Sequence, residues 1–327
     1  MSVPPVTVGG MRVGVVLLPQ PRWHGPDGAA QRWRHVEELG FDHAWTYDHL
    51  SWQSLVDQSW FATVPVLAAA ALATTTIRLG TWVASPNFRH PVPFAKELMT
   101  LDDLSQGRFT LGIGAGGTGF DARVLGQELI PPRQRIARLA EFTSLLDELL
   151  TQEATTVAGQ RYSAIDARMV PGCVQQPRLP FVVAANGPKG MAIAAHHGQG
   201  WATTGKTDPD DGQEAWWTGV RTLSERFEDA AAGRTMDRYL NLDSSAVYSL
   251  GSLEAYRDAV GRAAELGFTD VVVHYPRAEG IYAGRVEMLE AVAAERADHT
   301  GKRAPAVVSV AELQCFIAEQ EARPRAS

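Results

Sequence analysis

The sequence predicts an α/β protein: a (β/α)8 TIM barrel with an insertion between its fourth helix and fifth strand. Short β-branched runs alternate with longer helical patterns along the chain, which is the sequence form of repeated βα units and a parallel sheet. The strand candidates number eight, the count at which such a sheet closes on itself. A length of 327 residues accommodates that barrel as a single domain, expected over about residues 11–297 with a C-terminal extension at 298–327.

The elements follow in order. "MRVGVVLLP" (Met11–Pro19) reads as the first strand, and the helical "AAQRWRHVEELG" after it stops at Gly40. "HAWTYD" (His43–Asp48) is the second strand, followed by a helical pattern over Trp60–Thr74. "IRLGTWVAS" (Ile77–Ser85) is the third, with a helix that ends at Gly107. "RFTLGIG" (Arg108–Gly114) is the fourth, and its helix begins with Pro131 and Pro132, residues suited to a first helical turn. Glu153–Pro180 then has turn residues and no helical period, so an irregular excursion with a small hairpin is expected. "FVVAAN" (Phe181–Asn186), "GWATTG" (Gly200–Gly205), "LDSSAVYS" (Leu242–Ser249) and "DVVVHYP" (Asp270–Pro276) complete the eight. A helix starting at Ser252 and stopping at Gly267 separates the last two. A last helical pattern covers Ser309–Ala322. In such a barrel the active site lies at the C-terminal ends of the strands.

Composition narrows the function classes. A net charge of −7 with no cluster of Lys and Arg argues against a nucleic-acid surface. No apolar run reaches the ~20 residues that span a bilayer, and the first residues lack a basic segment followed by an apolar one. A cytoplasmic protein without a membrane partner is expected. Two cysteines, Cys173 and Cys315, are too few for a disulfide framework or a thiolate metal site. His196 and His197 are adjacent on a helical pattern, without the spacing of a metal pair, so no metal is expected and a solvated face is their expected home. No G-x-S-x-G occurs, and Cys173 has no motif that marks a nucleophile.

The most distinctive stretch is "GIGAGGTG" (Gly112–Gly119), with five glycines in eight residues. G-x-G-x-x-G fits it twice, yet a dinucleotide fold places that fingerprint in its first βα turn, with a helix beginning at once and an acidic residue ~20 positions on. Here the loop follows the fourth strand, and "ARVLGQELIPPR" after it starts no immediate helix in this reading. Two readings stay open: a tight turn over the barrel rim, or a nest of bare backbone N–H groups around the phosphate of a cofactor.

Four further stretches fall at strand ends: "WTYDHLSW" (Trp45–Trp52), "GTWVASPNFRHP" (Gly80–Pro91), "TLDDLSQGRFTLGIGAG" (Thr100–Gly116) and "VVAANGPKGMAIAAHHGQGWATTG" (Val182–Gly205). Together they closely resemble the bacterial luciferase-like monooxygenase superfamily, over about Met11 to Pro276, and within it the deazaflavin-dependent branch. The resemblance implies an oxidoreductase, either a reductase or a dehydrogenase, that uses coenzyme F420; the alternative is an FMN-dependent monooxygenase using O2. A third reading, of another class, is a non-catalytic flavin-binding or interaction protein.

By that resemblance Asp48 and His49 lie against the cofactor ring, with His49 as proton donor or acceptor, and Trp52 fits an active-site tryptophan with a one-residue offset. Trp45 reads as core. The Trp82–Val83 bond matches the family's cis peptide behind the ring. Gly114, Ala115, Gly116 and Gly117 would line the cofactor's side chain, with Ala184, Ala185, Asn186 and Gly187 holding more of it and Thr203, Thr204 and Gly205 completing the cradle. Arg89 and His90 are expected to brace or cap the next helix. The family's sugar-phosphate dehydrogenases carry a Glu where this chain has Gly117, a departure that argues against sugar-phosphate oxidation. The partners implied are a small-molecule or peptide substrate, a cofactor-reducing enzyme and a second copy in a homodimer.

Overall fold

The computed structural model describes residues 10–117, 119–205 and 211–300, the last four of them by their backbone alone. Most of the C-terminal extension, its helical pattern at Ser309–Ala322 and Cys315 lie outside the described residues. The barrel strands are β1 (Arg12–Val16), β2 (His43–Thr46), β3 (Arg78–Thr81), β4 (Phe109–Gly114), β7 (Phe181–Ala184), β8 (Gly200–Thr203), β9 (Asp237–Asn241) and β10 (Asp270–His274). They pair in parallel in the closed order β1-β10-β9-β8-β7-β4-β3-β2. β5 (Thr155–Ala158) and β6 (Ser163–Ala167) form the expected antiparallel hairpin in the insertion. The helices are α1 (Ala29–Glu38), α2 (Thr63–Ala73), α3 (Pro91–Leu104), α4 (Phe120–Val124), α5 (Pro132–Thr151), α6 (Pro188–His197), α7 (Gln213–Ala231), α8 (Leu253–Glu265) and α9 (Val286–Thr300). No helix among the described residues is long and apolar enough to cross a membrane.

Alternation along each strand builds two cores. Val13 and Val15 of β1, Leu111 and Ile113 of β4, and Val271 and Val273 of β10 pack outward into the large core shared with the helices. Val16, Trp45, Tyr47, Trp82, Val182, Ala202, Tyr239 and Val272 fill the barrel interior. Large rings fit there because glycines face them. A Cβ on Gly14 would stand 1.8 Å from His43 Nδ1, and one on Gly80 would stand 2.4 Å from the Trp45 ring. At the strands' N-terminal end, buried Asp270 accepts Arg12 Nε at 2.7 Å and meets His43 Nε2 at 3.0 Å, tying β1 and β2 to β10. Burial alone would raise the Asp270 carboxyl, but these hydrogen bonds from Arg12 and His43 win and hold it low.

The helix boundaries follow their sequence signals. Gly40, Gly107 and Gly267, the expected stops, take left-handed φ of 76°, 78° and 77°. The Ser252 side chain caps α8 by accepting from Ala255 N at 3.1 Å. His90 caps α3, accepting from Val92 N at 3.2 Å.

Three expectations are corrected. The seventh barrel strand is Asp237–Asn241, not Leu242–Ser249: its polar opening hides a strand whose first residue is paired outside the interior, Asp237 with Arg12 at 2.6 Å, while Tyr239 fills the barrel. Leu242–Ser244 instead forms a 3-10 turn capped by the Asn241 side chain. Second, a short helix does follow the glycine loop: Gly119, at φ 78°, turns the chain directly into α4. The closed barrel nonetheless excludes the dinucleotide fold, which needs an open doubly wound sheet. Third, of the histidine pair only His196 is exposed; His197 Nδ1 lies 3.3 Å from Asp147.

Candidate active site

The strands' C-terminal ends open into a cleft of about 880 Å³. Its floor is set by β4. Inward-facing Gly112 and Gly114 carry no side chain to fill the barrel mouth, and Thr81 Oγ1 and Ala84 N both donate to Gly112 O, at 2.6 and 2.8 Å. Between those two residues runs the Trp82–Val83 bond, which is cis, as the resemblance implies.

Most of the expected site residues meet here. His49, Trp52, Trp82 and Val83 line one side of the cleft; Gly114, Ala115, Gly116 and Gly117 line its floor and rim. Ala184, Ala185 and Asn186 from the end of β7, with Thr203, Thr204 and Gly205 from the end of β8, close the far side. There Asn186 Oδ1 accepts from Thr203 Oγ1 at 2.6 Å, and its Nδ2 donates to Thr204 Oγ1 at 3.0 Å.

Asp48 and Gly187 stand apart from the cleft lining. The Asp48 side chain, 1% exposed, accepts Arg89 Nε and Nη2 at 2.7 and 2.6 Å. It braces the segment after β2 against the start of α3, consistent with the supporting role read for Arg89. Gly187 is the N-cap of α6. Trp45 is buried in the barrel interior.

His49 is held by a string that the sequence reading missed. Its Nδ1 lies 3.0 Å from Asp121 Oδ2, and Asp121, 2% exposed, also accepts from Leu50 N at 2.8 Å and Asn87 Nδ2 at 3.1 Å. Asn87 in turn accepts from Arg138 Nη2 at 2.5 Å. Burial would raise the Asp121 carboxyl, but the hydrogen bond and charge of His49, with the Leu50 N–H, outweigh it and hold the group below its ordinary range. Because a carboxylate only accepts, Nδ1 carries the proton, leaving Nε2 free to exchange one. The Trp52 ring lies 4.5 Å from the imidazole at 34° and shields it. The signal for Asp121 was its place at the head of the helix after the glycine loop, a helix the sequence reading did not expect.

The glycine loop turns at Gly116, whose φ of +71° favours glycine; a Cβ there would also strike the Asn87 amide at 2.4 Å. At Gly117 a Cβ would meet nothing within 4 Å. The loop thus presents bare backbone to the cleft, and aromatic rings face it from the β2 side. Such a surface fits a flat, mostly apolar ring with a polar, phosphate-bearing tail. Among the described residues no group of three or more His, Cys, Asp or Glu could hold a metal ion.

Comparison with known proteins adds to this geometry. A family model described as luciferase-like monooxygenase matches residues 11–312. The F420-dependent glucose-6-phosphate dehydrogenase of Amycolatopsis mediterranei is 33% identical over 185 residues, 56% of this chain and 55% of the relative. The 4-hydroxyprotoasukamycin monooxygenase of Streptomyces nodosus subsp. asukaensis is 32% identical over 229 residues, 65% of this chain and 58% of the relative. This chain spans somewhat over half the length of such curated relatives. The solved coenzyme F420-dependent tetrahydromethanopterin reductase from Methanopyrus kandleri has the same fold, with a TM-score of 0.65, 18% identity, and coverage of 89% of this chain and 99% of that one.

Proposed function

Because the chain belongs to the luciferase-like monooxygenase family, we propose that it is a coenzyme F420-dependent oxidoreductase in which His49 handles the proton that accompanies hydride transfer. The observation that carries this reading is the His49–Asp121 pair, 3.0 Å apart, at the wall of a cleft floored by glycine backbone. When bound, a deazaflavin supplies two-electron hydride chemistry and reacts poorly with oxygen, which favours a reductase or dehydrogenase.

The chain's own residues divide the remaining work. Gly114, Ala115, Gly116 and Gly117 offer backbone groups to the cofactor's tail, and Asn186, Thr203 and Thr204 offer side-chain polar atoms across from them. Trp82 and Val83 line the cleft where they would back the ring. Asp121 fixes the tautomer and orientation of His49, so Nε2 gives or takes a proton at a set position. Trp52 packs against the imidazole and holds its ring in place. Gly117 stands where a sugar-phosphate dehydrogenase would place its acid, and open space surrounds it. The substrate proposed is therefore an organic molecule other than a sugar phosphate.

Colour tests the cofactor. The protein, purified after each cofactor is supplied, is expected to retain a deazaflavin absorption band. A flavin band alone would transfer the reading to an FMN monooxygenase, in line with the monooxygenase relative. Binding neither would remove both and leave an interaction protein. His49→Ala is expected to lower turnover by roughly 100-fold or more with little loss of stability.

A further inference from the structure

A second string of side chains reaches the same cleft from β2, β9 and β10. Tyr47 comes from the end of β2, Asp243 from the turn after β9, His274 from the last position of β10, and Tyr282 from the loop beyond it. The His274 and Asp243 side chains are 0% and 1% exposed. Asp243 Oδ1 accepts from Ser249 N at 2.9 Å, while Oδ2 accepts from His274 N at 2.6 Å and meets His274 Nδ1 at 3.1 Å.

The direction of every bond follows from the carboxylate outward. Asp243 only accepts, so His274 Nδ1 carries a proton; in the neutral imidazole Nε2 then carries a lone pair. Tyr47 O–H donates to that Nε2 at 2.8 Å. The Tyr47 oxygen then accepts from Tyr282 O–H at 3.0 Å. Both phenols line the cleft, and the outer oxygen keeps acceptor capacity for a ligand. Tyr248 does not compete, because its hydroxyl is donated to His274 O at 2.7 Å. Tyr282 takes φ +61°, a left-handed conformation rare for an aromatic residue, and its ring stacks on the imidazole at 3.7 Å and 14°. Burial raises the Tyr47 hydroxyl well above its ordinary value. It also pushes Tyr282 up to about 12, so both remain protonated links at neutral pH.

We infer that Tyr282–Tyr47–His274–Asp243 is a proton relay serving the oxygen of an alcohol or carbonyl substrate, which leaves His49–Asp121 the proton exchanged on the cofactor's side. The inference rests on the oxidoreductase reading above. As an alcohol is oxidised, the hydride from its carbon would go to a bound deazaflavin, and its hydroxyl gives up a proton to the Tyr282 oxygen. The Tyr282 proton moves to Tyr47 and the Tyr47 proton to His274 Nε2. One substrate O–H bond breaks and one N–H bond forms, leaving an imidazolium beside the Asp243 carboxylate. Carbonyl reduction runs the same string in reverse. Tyr282 is the catalytic residue of this arm; His274 and Asp243 position and charge it.

Two measurements test it. In the cofactor-free protein, nitrogen NMR of His274 is expected to report the neutral tautomer protonated at Nδ1, and Tyr47→Phe is expected to shift Nε2 while leaving His49 unchanged. In the F420-loaded enzyme, assayed against a panel of primary and secondary alcohols and their aldehydes and ketones, Tyr282→Phe is expected to lower kcat about tenfold or more. KM and F420 affinity are expected to stay within about threefold. A resting proton on Nε2, wild-type kcat in Tyr282→Phe, or a loaded enzyme that turns over no member of the panel would each overturn the relay while leaving the cofactor assignment standing. A wild type that binds no cofactor removes the oxidoreductase reading, and the relay with it.

Discussion

His49 and Asp121 are 72 positions apart in the chain and 3.0 Å apart in the fold. The contact makes the β2 and β4 loops one unit, because Asp121 also accepts from Leu50 N. Asp121→Asn keeps the shape but can donate as well as accept, which frees the imidazole to adopt either tautomer. The expected outcome is a kcat lowered by roughly 10- to 100-fold with cofactor affinity nearly unchanged, read by steady-state kinetics beside a binding titration. An equal loss in both would assign Asp121 to cofactor binding instead.

Arg89 supports the site without lining it. Removing its guanidinium leaves the Asp48 carboxylate, whose side chain is 1% exposed, buried without its charged partner. Arg89→Ala is expected to cost about 3–5 kcal/mol in urea denaturation. Arg89→Lys should recover part of this, since an ammonium replaces one of the two hydrogen bonds to Asp48.

The insertion and α6 are tied down by Asp147, whose carboxyl is lowered from 3.8 to about 2 by the hydrogen bond from His197, against burial, and by Arg178. A depressed acid stabilises the fold above its unfolded value, and that stability is lost as pH falls through the folded one. Wild-type stability should therefore decline between pH 3.8 and about 2 by an amount that Asp147→Asn does not show. Thermal melts of both proteins across this window measure the difference.

Adjacent glycines of the loop should respond differently to a methyl group. Gly116→Ala places Cβ at φ +71° and against Asn87, so about 1–2 kcal/mol of backbone strain is expected, or roughly 5- to 30-fold weaker cofactor binding. Gly117→Ala meets open space and should change affinity less than about twofold. Fluorescence titration with the cofactor compares them; equal losses would mean that the cofactor fills the space beside the Gly117 Cα.

Period and punctuation made much of the barrel legible. The β-branched runs in "MRVGVV" and "DVVVHYP" marked β1 and β10, and glycine stops marked the ends of α1, α3 and α8. Those signals are local, set by backbone conformation and by which face of a strand is apolar. β9 escaped because its polar first residue, Asp237, is paired with Arg12 from the far end of the chain. The family resemblance likewise reached His49, Trp52 and the glycine loop, which the fold gathers around one cleft.

What the sequence determined by itself was the barrel, the face that carries the cleft, and the residue types at its rim. Only the tertiary structure decided which groups are coupled: Asp121 with His49, Arg89 with Asp48, and Asp243 through His274 and Tyr47 to Tyr282. A hydrogen bond acts over about 3 Å, and no local pattern records which distant carboxylate closure of the barrel will bring that near.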